Sequence, residues 1–341
     1  MEKIKVGFLG TRGHTLKFID LVNSFPESTA AAIWSDDPAK AEKTAEEGKI
    51  LCMQTPEEVL EKADAVVITA PNVYKKELVI KAANAGKHIF LEKPLAINKA
   101  DAKEMADAVR QSGVKFYMSD PFVRNGTIGL RNLIRDGVLG EIYGADVRIA
   151  VDRAVTPGHP PVWNKETALG GIMADIGGHG IHVIHYLFGM PVSVTAALQY
   201  ITESAKAGGM EDQGQVIMQY ADGNSAVLSA SWCSGGDSAH TIVYGTKGWA
   251  RTERVKDGTE TEKLFVYTKN KVKELSGDEL PAEPLRHIRY FIEMIVRNLP
   301  NDIIGKDDLS NSGVSIDSAE EYAAILEAVY ESDRTGKRIK L

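Results

Sequence analysis

Side chains able to move protons gather at two places in the sequence. At the first, Glu92-Lys93-Pro94 follows the short apolar run of residues 88–91. A lysine just past a strand is by default solvated. Set beside a reacting oxygen, its ammonium would stabilise developing negative charge, and burial would lower its pKa enough for it to join a proton relay. Pro94 fixes the turn that follows, and Glu92 reads as holding that turn or contacting a ligand rather than as an acid or base. At the second place, Gly170-Gly171-Ile172-Met173-Ala174-Asp175-Ile176-Gly177-Gly178-His179 sets a carboxylate four residues before an imidazole. On a helix the two would share a face, and the carboxylate would orient the ring and stabilise its charged form. Gly177 and Gly178 weaken the helical assumption, while allowing close backbone approach to a ligand. Histidine suits proton transfer near neutral pH.

His179, His182 and His185 also invite a metal reading. Steps of three rotate progressively around a helix, so the first and third diverge by about 120 degrees, an awkward chelate. No acidic or cysteine partner completes a zinc-like spacing, and no metal is expected. His185 reads as packed against residues 186–188, and His182 as packed or as a substrate contact.

A third feature is a glycine turn, Gly7-Phe8-Leu9-Gly10-Thr11-Arg12-Gly13-His14, between the first strand and the first helix. Glycines there permit a tight turn, and amides at the helix start can receive a pyrophosphate. Strict G-x-G-x-x-G is not met, because Arg12 and Thr15 stand where the second and third glycines would be. An acid that binds the adenosine ribose belongs about 20 residues further on, where Ser35-Asp36-Asp37 follows Trp34. With Ser35 at the ribose a 2′-phosphate would fit, with Arg12 as counter-ion. With Asp36 there, charge repulsion would favour NAD over NADP. Alternatively, Asp36 or Asp37 caps the helix that opens at Pro38.

These residues need a frame that positions them. Residues 3–9, 29–34, 65–69, 88–91 and 114–119 read as strands, and residues 15–24, 38–48, 74–85 and 98–113 as helices. Thr55-Pro56-Glu57-Glu58 is a capping box with proline at the first helical position. Such βαβα repetition implies a doubly wound parallel sheet. The rhythm changes near residue 121. A helix over 126–136 is followed by strand-like stretches at 142–151, 192–200, 215–220, 225–231, 240–244 and 263–267, with hairpin turns such as Ala221-Asp222-Gly223-Asn224. Two helices close the chain, near 283–298 and 315–332. The expected division is therefore a dinucleotide-binding domain over residues 1–121 and an α+β domain over 122–341, the latter built on a predominantly antiparallel sheet.

Composition fits this frame. The 341 residues are 43% hydrophobic and 26% charged, enough for two cores. Lys and Arg number 40 against 47 Asp and Glu, a net charge of −7 without a basic tract, so nucleic acid is not an expected partner. Two cysteines, Cys52 and Cys233, offer no disulfide framework and suit a reducing cytoplasm. The first strand starts too early to leave room for a signal peptide, and no apolar run approaches the ~20 residues of a membrane span.

Taken together, Glu92-Lys93-Pro94, Ala70-Pro71-Asn72 and the block from Gly170 to His179 resemble the signatures of the Gfo/Idh/MocA oxidoreductases. The likeness extends to residues 137–142 and Gly245-Thr246-Lys247-Gly248, and so touches essentially the whole chain. Two positions depart from it. Lys75 stands where the family often has histidine, and His182 where it often has aspartate. The resemblance implies a Rossmann domain followed by an open-faced sheet domain, and a homodimer or homotetramer through that sheet. It implies hydride transfer between NAD or NADP and a secondary alcohol or ketone of a sugar, inositol or related polyol. Two further readings are a glycoside-cleaving enzyme that retains its NAD through transient oxidation, and a nucleotide-binding regulator without catalysis. Carried over residue by residue, the catalytic group is Lys93, Asp175 and His179, with His179 as base in oxidation and acid in reduction. Gly10, Thr11, Arg12, Gly13, Ser35, Asp36, Ala70, Pro71, Asn72, Glu92 and Lys93 would contact the nucleotide. Lys93, Arg124, Trp163, Asp175 and His179 would contact substrate, with Asp120 and Asn164 as softer candidates. Tyr74, Trp232 and Cys233 are expected in the core.

Overall fold

Short, largely apolar runs become the main strands of the first sheet. Ala65–Ile68 is buried at every residue, as a parallel strand covered on both faces must be. A computed structural model describes residues 2–154, 165–255, 261–281, 287–303 and 313–341. The chain divides into two units. One comprises Met1–Pro121 with Leu285–Ala323, and the other Phe122–Pro284 with Ala324–Leu341.

The first unit runs β1 (Ile4–Leu9), α1 (Thr15–Ser24), β2 (Ser28–Trp34), α2 (Pro38–Gly48), β3 (Leu51–Cys52), α3 (Pro56–Lys62), β4 (Ala65–Ile68), α4 (Asn72–Asn84), β5 (His88–Glu92), α5 (Lys99–Ser112) and β6 (Phe116–Ser119). The expected capping box is present, with Glu58 N donating to Thr55 Oγ1 and the Glu58 carboxylate accepting from Thr55 N. Asn98 caps α5, and Gly113 at φ 67° ends it. The sheet order is β15-β6-β5-β4-β1-β2-β3. Apart from β15 (Gly313–Val314), antiparallel to β6, its strand pairs are parallel, the doubly wound Rossmann order.

One difference from the expected division stands out. Of the described residues, 287–303 and 313–323 pack with the first unit. The helix His287–Val296 among them places Ile288, Tyr290, Phe291, Ile292 and Met294 in a core with Phe8, Phe18, Phe90 and Tyr117. Each large apolar side chain fully buried there contributes about 1.5–3 kcal/mol. An amphipathic pattern shows that a helix packs on something, without showing which sheet it covers.

The second unit contains α6 (Asn125–Arg135), β7 (Ile142–Asp152), α7 (Lys165–Ala168), a π-helical turn over Met173–Gly177, α8 (Gly178–Phe188), β8 (Ser193–Gln199), α9 (Glu203–Gly208), β9 (Gln213–Gln219), β10 (Ser225–Ser231), β11 (Cys233–Gly245), β12 (Gly248–Val255), β13 (Thr261–Thr268) and β14 (Lys271–Ser276). After these come α10 (His287–Val296) of the first unit, α11 (Ile316–Thr335), within which the division falls, and β16 (Ile339–Lys340). The nine-stranded sheet has the order β14-β13-β12-β11-β7-β10-β9-β8-β16. Its pairs are antiparallel except β10 with β7, the predominantly antiparallel α+β arrangement. Besides the two-residue β16, two strands escape the apolar-run criterion for a physical reason. β12 carries Arg251, Glu253 and Arg254, and β14 is mostly exposed, so neither shows the buried run by which strands are recognised. No helix among the described residues is long and apolar enough to cross a membrane.

Candidate active-site residues

In the first unit the C-terminal ends of β1, β2 and β4 are tied together around the glycine turn. Gly10 N donates to Trp34 O (2.7 Å), Thr69 N to Leu9 O (2.9 Å) and Arg12 N to Thr69 O (3.3 Å). Gly10 has φ +112°, and a Cβ there would come within 2.3 Å of the Ala70 nitrogen. Glycine is needed both for the conformation and for the close approach. Thr15 occupies the third glycine position of the strict motif and replaces close packing with a polar tie. Its Oγ1 lies 2.9 Å from Arg12 O and 2.9 Å from Thr69 Oγ1. Around Gly13 the space is open. No side chain caps α1, and its first turn carries no acid. Its leading amides are left to an anion, so this turn fits a dinucleotide pyrophosphate.

At the end of β2 the three candidates separate. Ser35 is buried, with its hydroxyl 3.0 Å from Thr11 Oγ1, 3.2 Å from Asp36 Oδ1 and accepting from Asp37 N at 3.3 Å. Asp37 is the N-cap of α2, accepting from Lys40 N. Asp36 is exposed, as is Arg12. Ala70 and Pro71 are buried in the turn from β4 to α4, and Asn72 opens that helix.

Two strands from β1, at the end of β5, lies the Glu92-Lys93-Pro94 turn, whose Lys93-Pro94 bond is cis. Lys93 is half-buried. Beneath it is a residue that the sequence reading treated only as a departure from the family. Lys75 is 3% exposed, and its Nζ donates to the carbonyl oxygens of Glu92 (2.6 Å), Lys93 (2.9 Å) and Pro94 (3.0 Å). Burial pulls the Lys75 pKa down, Glu92 draws it back up and Lys93 lowers it again. Burial likewise pushes the Glu92 carboxyl up to about 7, opposed by Lys93, Lys75 and a hydrogen bond from Ser119, with Asp120 reinforcing the rise. Asp120 is itself 2% exposed. The sequence reading placed a burial-lowered pKa at Lys93 and none at Lys75, yet Lys75 is the buried lysine of this turn. A sequence signal existed: Lys75, Leu78, Val79, Ala82 and Ala83 form the buried stripe of α4, so Lys75 sits in a core position. Its neighbour Tyr74, expected in the core, is 37% exposed because it lies off that stripe, turned about 100° from Lys75 around the helix.

In the second unit the block that ends at His179 is helical from Met173 onward despite its glycines. A π-helical turn over Met173–Gly177 runs directly into α8, with Gly177 and Gly178 both in the right-handed helical region. Such wide turns often mark functional positions. The start of this stretch is gripped by a second residue that sequence reasoning missed. Glu211, 3% exposed, accepts through Oε1 from Gly171 N (3.0 Å), Met173 N (3.1 Å) and the Tyr330 hydroxyl (2.8 Å). Burial raises its pKa, and these hydrogen bonds oppose the rise. Glu211 precedes a strand and is followed by another acid, a pattern that reads as a solvated loop, so no sequence signal marked it.

Asp175 pairs with Arg153, Oδ2 to Nη1 at 2.9 Å. His179 is 5% exposed, with its ring stacked on Phe122 at a centroid distance of 4.2 Å. Phe122 and Arg124 line a cavity of about 30 Å³ with Arg148, His240, Arg254 and Glu262. His182 is buried and His185 half-buried on the same helix. No cluster of His, Cys, Asp and Glu able to hold a metal occurs among the described residues. Trp232 is core and Cys233 half-buried. Trp163 and Asn164 lie outside the described residues.

Residues 4–119 match the family described as oxidoreductases with an NAD-binding Rossmann fold, and residues 128–251 match the GFO/IDH/MocA C-terminal domain. The chain belongs to the Gfo/Idh/MocA oxidoreductase family. It is 33% identical to 2,7-anhydro-N-acetylneuraminate hydratase of Mediterraneibacter gnavus over 201 residues, 55% of this chain and 50% of the relative. It is 26% identical to dTDP-3,4-didehydro-2,6-dideoxy-alpha-D-glucose 3-reductase of Saccharopolyspora spinosa over 347 residues, 98% of this chain and 99% of that one. The fold is shared with aldose-aldose oxidoreductase from Caulobacter crescentus, at TM-score 0.81 and 21% identity, covering 100% of both chains. The chain spans 50% to 60% of the length of the first curated relatives it matches.

Proposed function

We propose that this family member transfers hydride between NAD(P) and a secondary alcohol or ketone of a sugar, inositol or related polyol. The observation that carries the reading is the placement of Lys93. It stands at the C-terminal edge of the parallel sheet, two strands from the glycine turn, a span of about 10 Å. Ligands of such sheets bind along that edge. The bound nicotinamide supplies the hydride acceptor or donor. In oxidation His179 takes the hydroxyl proton as the carbonyl forms, and in reduction it returns the proton. The Lys93 ammonium hydrogen-bonds to the reacting oxygen and stabilises its negative charge. Asp175, with Arg153, holds the polar surroundings of the helix start. Gly10, Thr11, Arg12, Gly13, Ala70, Pro71, Asn72 and Glu92 form the nucleotide cradle, and Arg124 reaches the sugar.

NAD is the preferred nucleotide in this reading. Ser35 is committed to Thr11 and the turn, and Asp37 to its cap, leaving the exposed Asp36 carboxylate to meet the ribose and repel a 2′-phosphate. Asp36→Ala should shift the ratio of kcat/KM for NADP over NAD upward by about tenfold or more; an unchanged ratio removes Asp36 from that role.

The reading extends to a homodimer or homotetramer through the C-terminal sheet of a cytoplasmic enzyme. Tyr143, Ile217 and Val272, 59%, 45% and 58% exposed on sheet strands, support it, and light scattering tests it. The decisive assay follows reduced-nicotinamide absorbance with NAD and NADP separately against aldoses, inositols, polyols and their keto forms. The similarity to a hydratase favours one second reading, a redox-neutral conversion with NAD retained. Product formation without net absorbance change would select it, and neither product nor absorbance change would sink both.

A further inference from the structure

Lys75 takes no part in the chemistry just described, yet three successive carbonyl oxygens converge on it. A buried ammonium is costly unless hydrogen-bonded. Three acceptors at 2.6, 2.9 and 3.0 Å call for three N–H bonds, and only the charged form of lysine has three. The geometry has a consequence for the turn. The carbonyls of Glu92 and Lys93 belong to the peptide planes on either side of the Lys93 Cα, so one cation fixes both planes, and peptide planarity then fixes the direction in which the Lys93 side chain leaves the backbone. The carbonyl of Pro94 extends the grip past the turn. Glu92 at this turn is acted on by both lysines, Lys93 and Lys75, and by Asp120.

We infer that Lys75 is a positioning residue for Lys93: its ammonium, bonded to the carbonyls of residues 92, 93 and 94, sets where the Lys93 ammonium stands. This rests on the role proposed for Lys93, and the test separates the two. Lys75→Met keeps the stem and removes every N–H donor. Lys75→Gln keeps two donors and serves where the methionine variant does not fold. Each is made alone and combined with Lys93→Ala, and turnover is followed with NAD and the aldose or inositol active in the panel above. The expected result in the Lys93 background is a fall in kcat of about tenfold or more for Lys75→Met, less for Lys75→Gln, with the Kd for NADH within about threefold of the parent. In the Lys93→Ala background the same substitutions should cost less than about twofold, since the group they position is gone. Without substrate, amides of residues 92–97 should exchange hydrogen about tenfold faster in the variants while those of β1 keep their rates. Equal losses in both backgrounds, or exchange accelerated throughout the sheet, would make Lys75 a core-stabilising residue only and overturn the inference. Wild-type turnover in Lys93→Ala alone would sink the role of Lys93 itself, and this inference with it.

Discussion

The two units secure their candidate catalytic segments by opposite electrical means. In the first, a buried cation, Lys75, binds carbonyl oxygens where β5 ends in a turn. In the second, a buried anion, Glu211, binds amide groups where a helical stretch begins. The difference follows from the backbone. A chain leaving a strand at a sharp turn presents acceptors without ladder partners, and a starting helix presents donors. Each region has placed the charge that its orphaned groups require. Each candidate segment is therefore tied down by a single charged side chain beneath it, one sign per kind of backbone end.

The comparison can be broken or sharpened by substitution. The largest effect belongs to the group that the second clamp serves. His179→Ala should lower kcat near neutral pH by about 10²- to 10⁴-fold; a kcat/KM profile unchanged in height and shape would move the base elsewhere. Next is the clamp itself. Glu211→Ala leaves Gly171 N, Met173 N and the Tyr330 hydroxyl without this acceptor and should cost about 3 kcal/mol in urea unfolding, with Glu211→Gln costing about 1 kcal/mol. A change below the error of the measurement would deny Glu211 any such function and end the parallel with Lys75. The smallest effect is a slope. The Glu92 carboxyl is raised from 4.5 to about 7 in the folded chain, so between those values the folded state holds a proton that the unfolded state has released. Its contribution to stability is present below pH 4.5 and is lost as pH rises through about 7. Glu92→Gln should flatten unfolding free energy against pH in that window, and a slope identical to the parent would remove Glu92 as its source.

Much of the architecture was legible in the sequence. The strand at 65–69, the capping box at Thr55 and the Asn98 cap announce themselves through burial patterns and local hydrogen bonds that only nearby residues decide. The Lys93 turn and the Gly170–His179 block were legible through their motifs. Glu211 was not, and Lys75 was marked only by its place in the apolar stripe of α4, because charged side chains are assigned to the surface by default. What overrides the default is a set of backbone groups brought to them by the fold, 17 to 19 residues away for Lys75 and 38 to 40 for Glu211. The helical continuity through Gly177 and Gly178 was hidden for a related reason. Glycine propensity argues against a helix, and packing prevails: a Cβ on Gly177 would meet Met173 Sδ at 2.9 Å, and one on Gly180 would meet Leu228 Cδ1 at 2.2 Å.

The return of residues 287–303 and 313–323 to the first unit bears on how the chain is made. When the ribosome has finished residue 121, the sheet holding Phe90 and Tyr117 still lacks Phe291 and Tyr290, their ring partners in the finished protein. At ordinary elongation rates, about ten seconds or more separate the two events. During that interval an apolar surface stands ready for a helix that has not been synthesised, and anything that shields it, a chaperone included, acts before the second unit is complete. The same break in order means that an excised first domain of 121 residues would be missing part of its own interior.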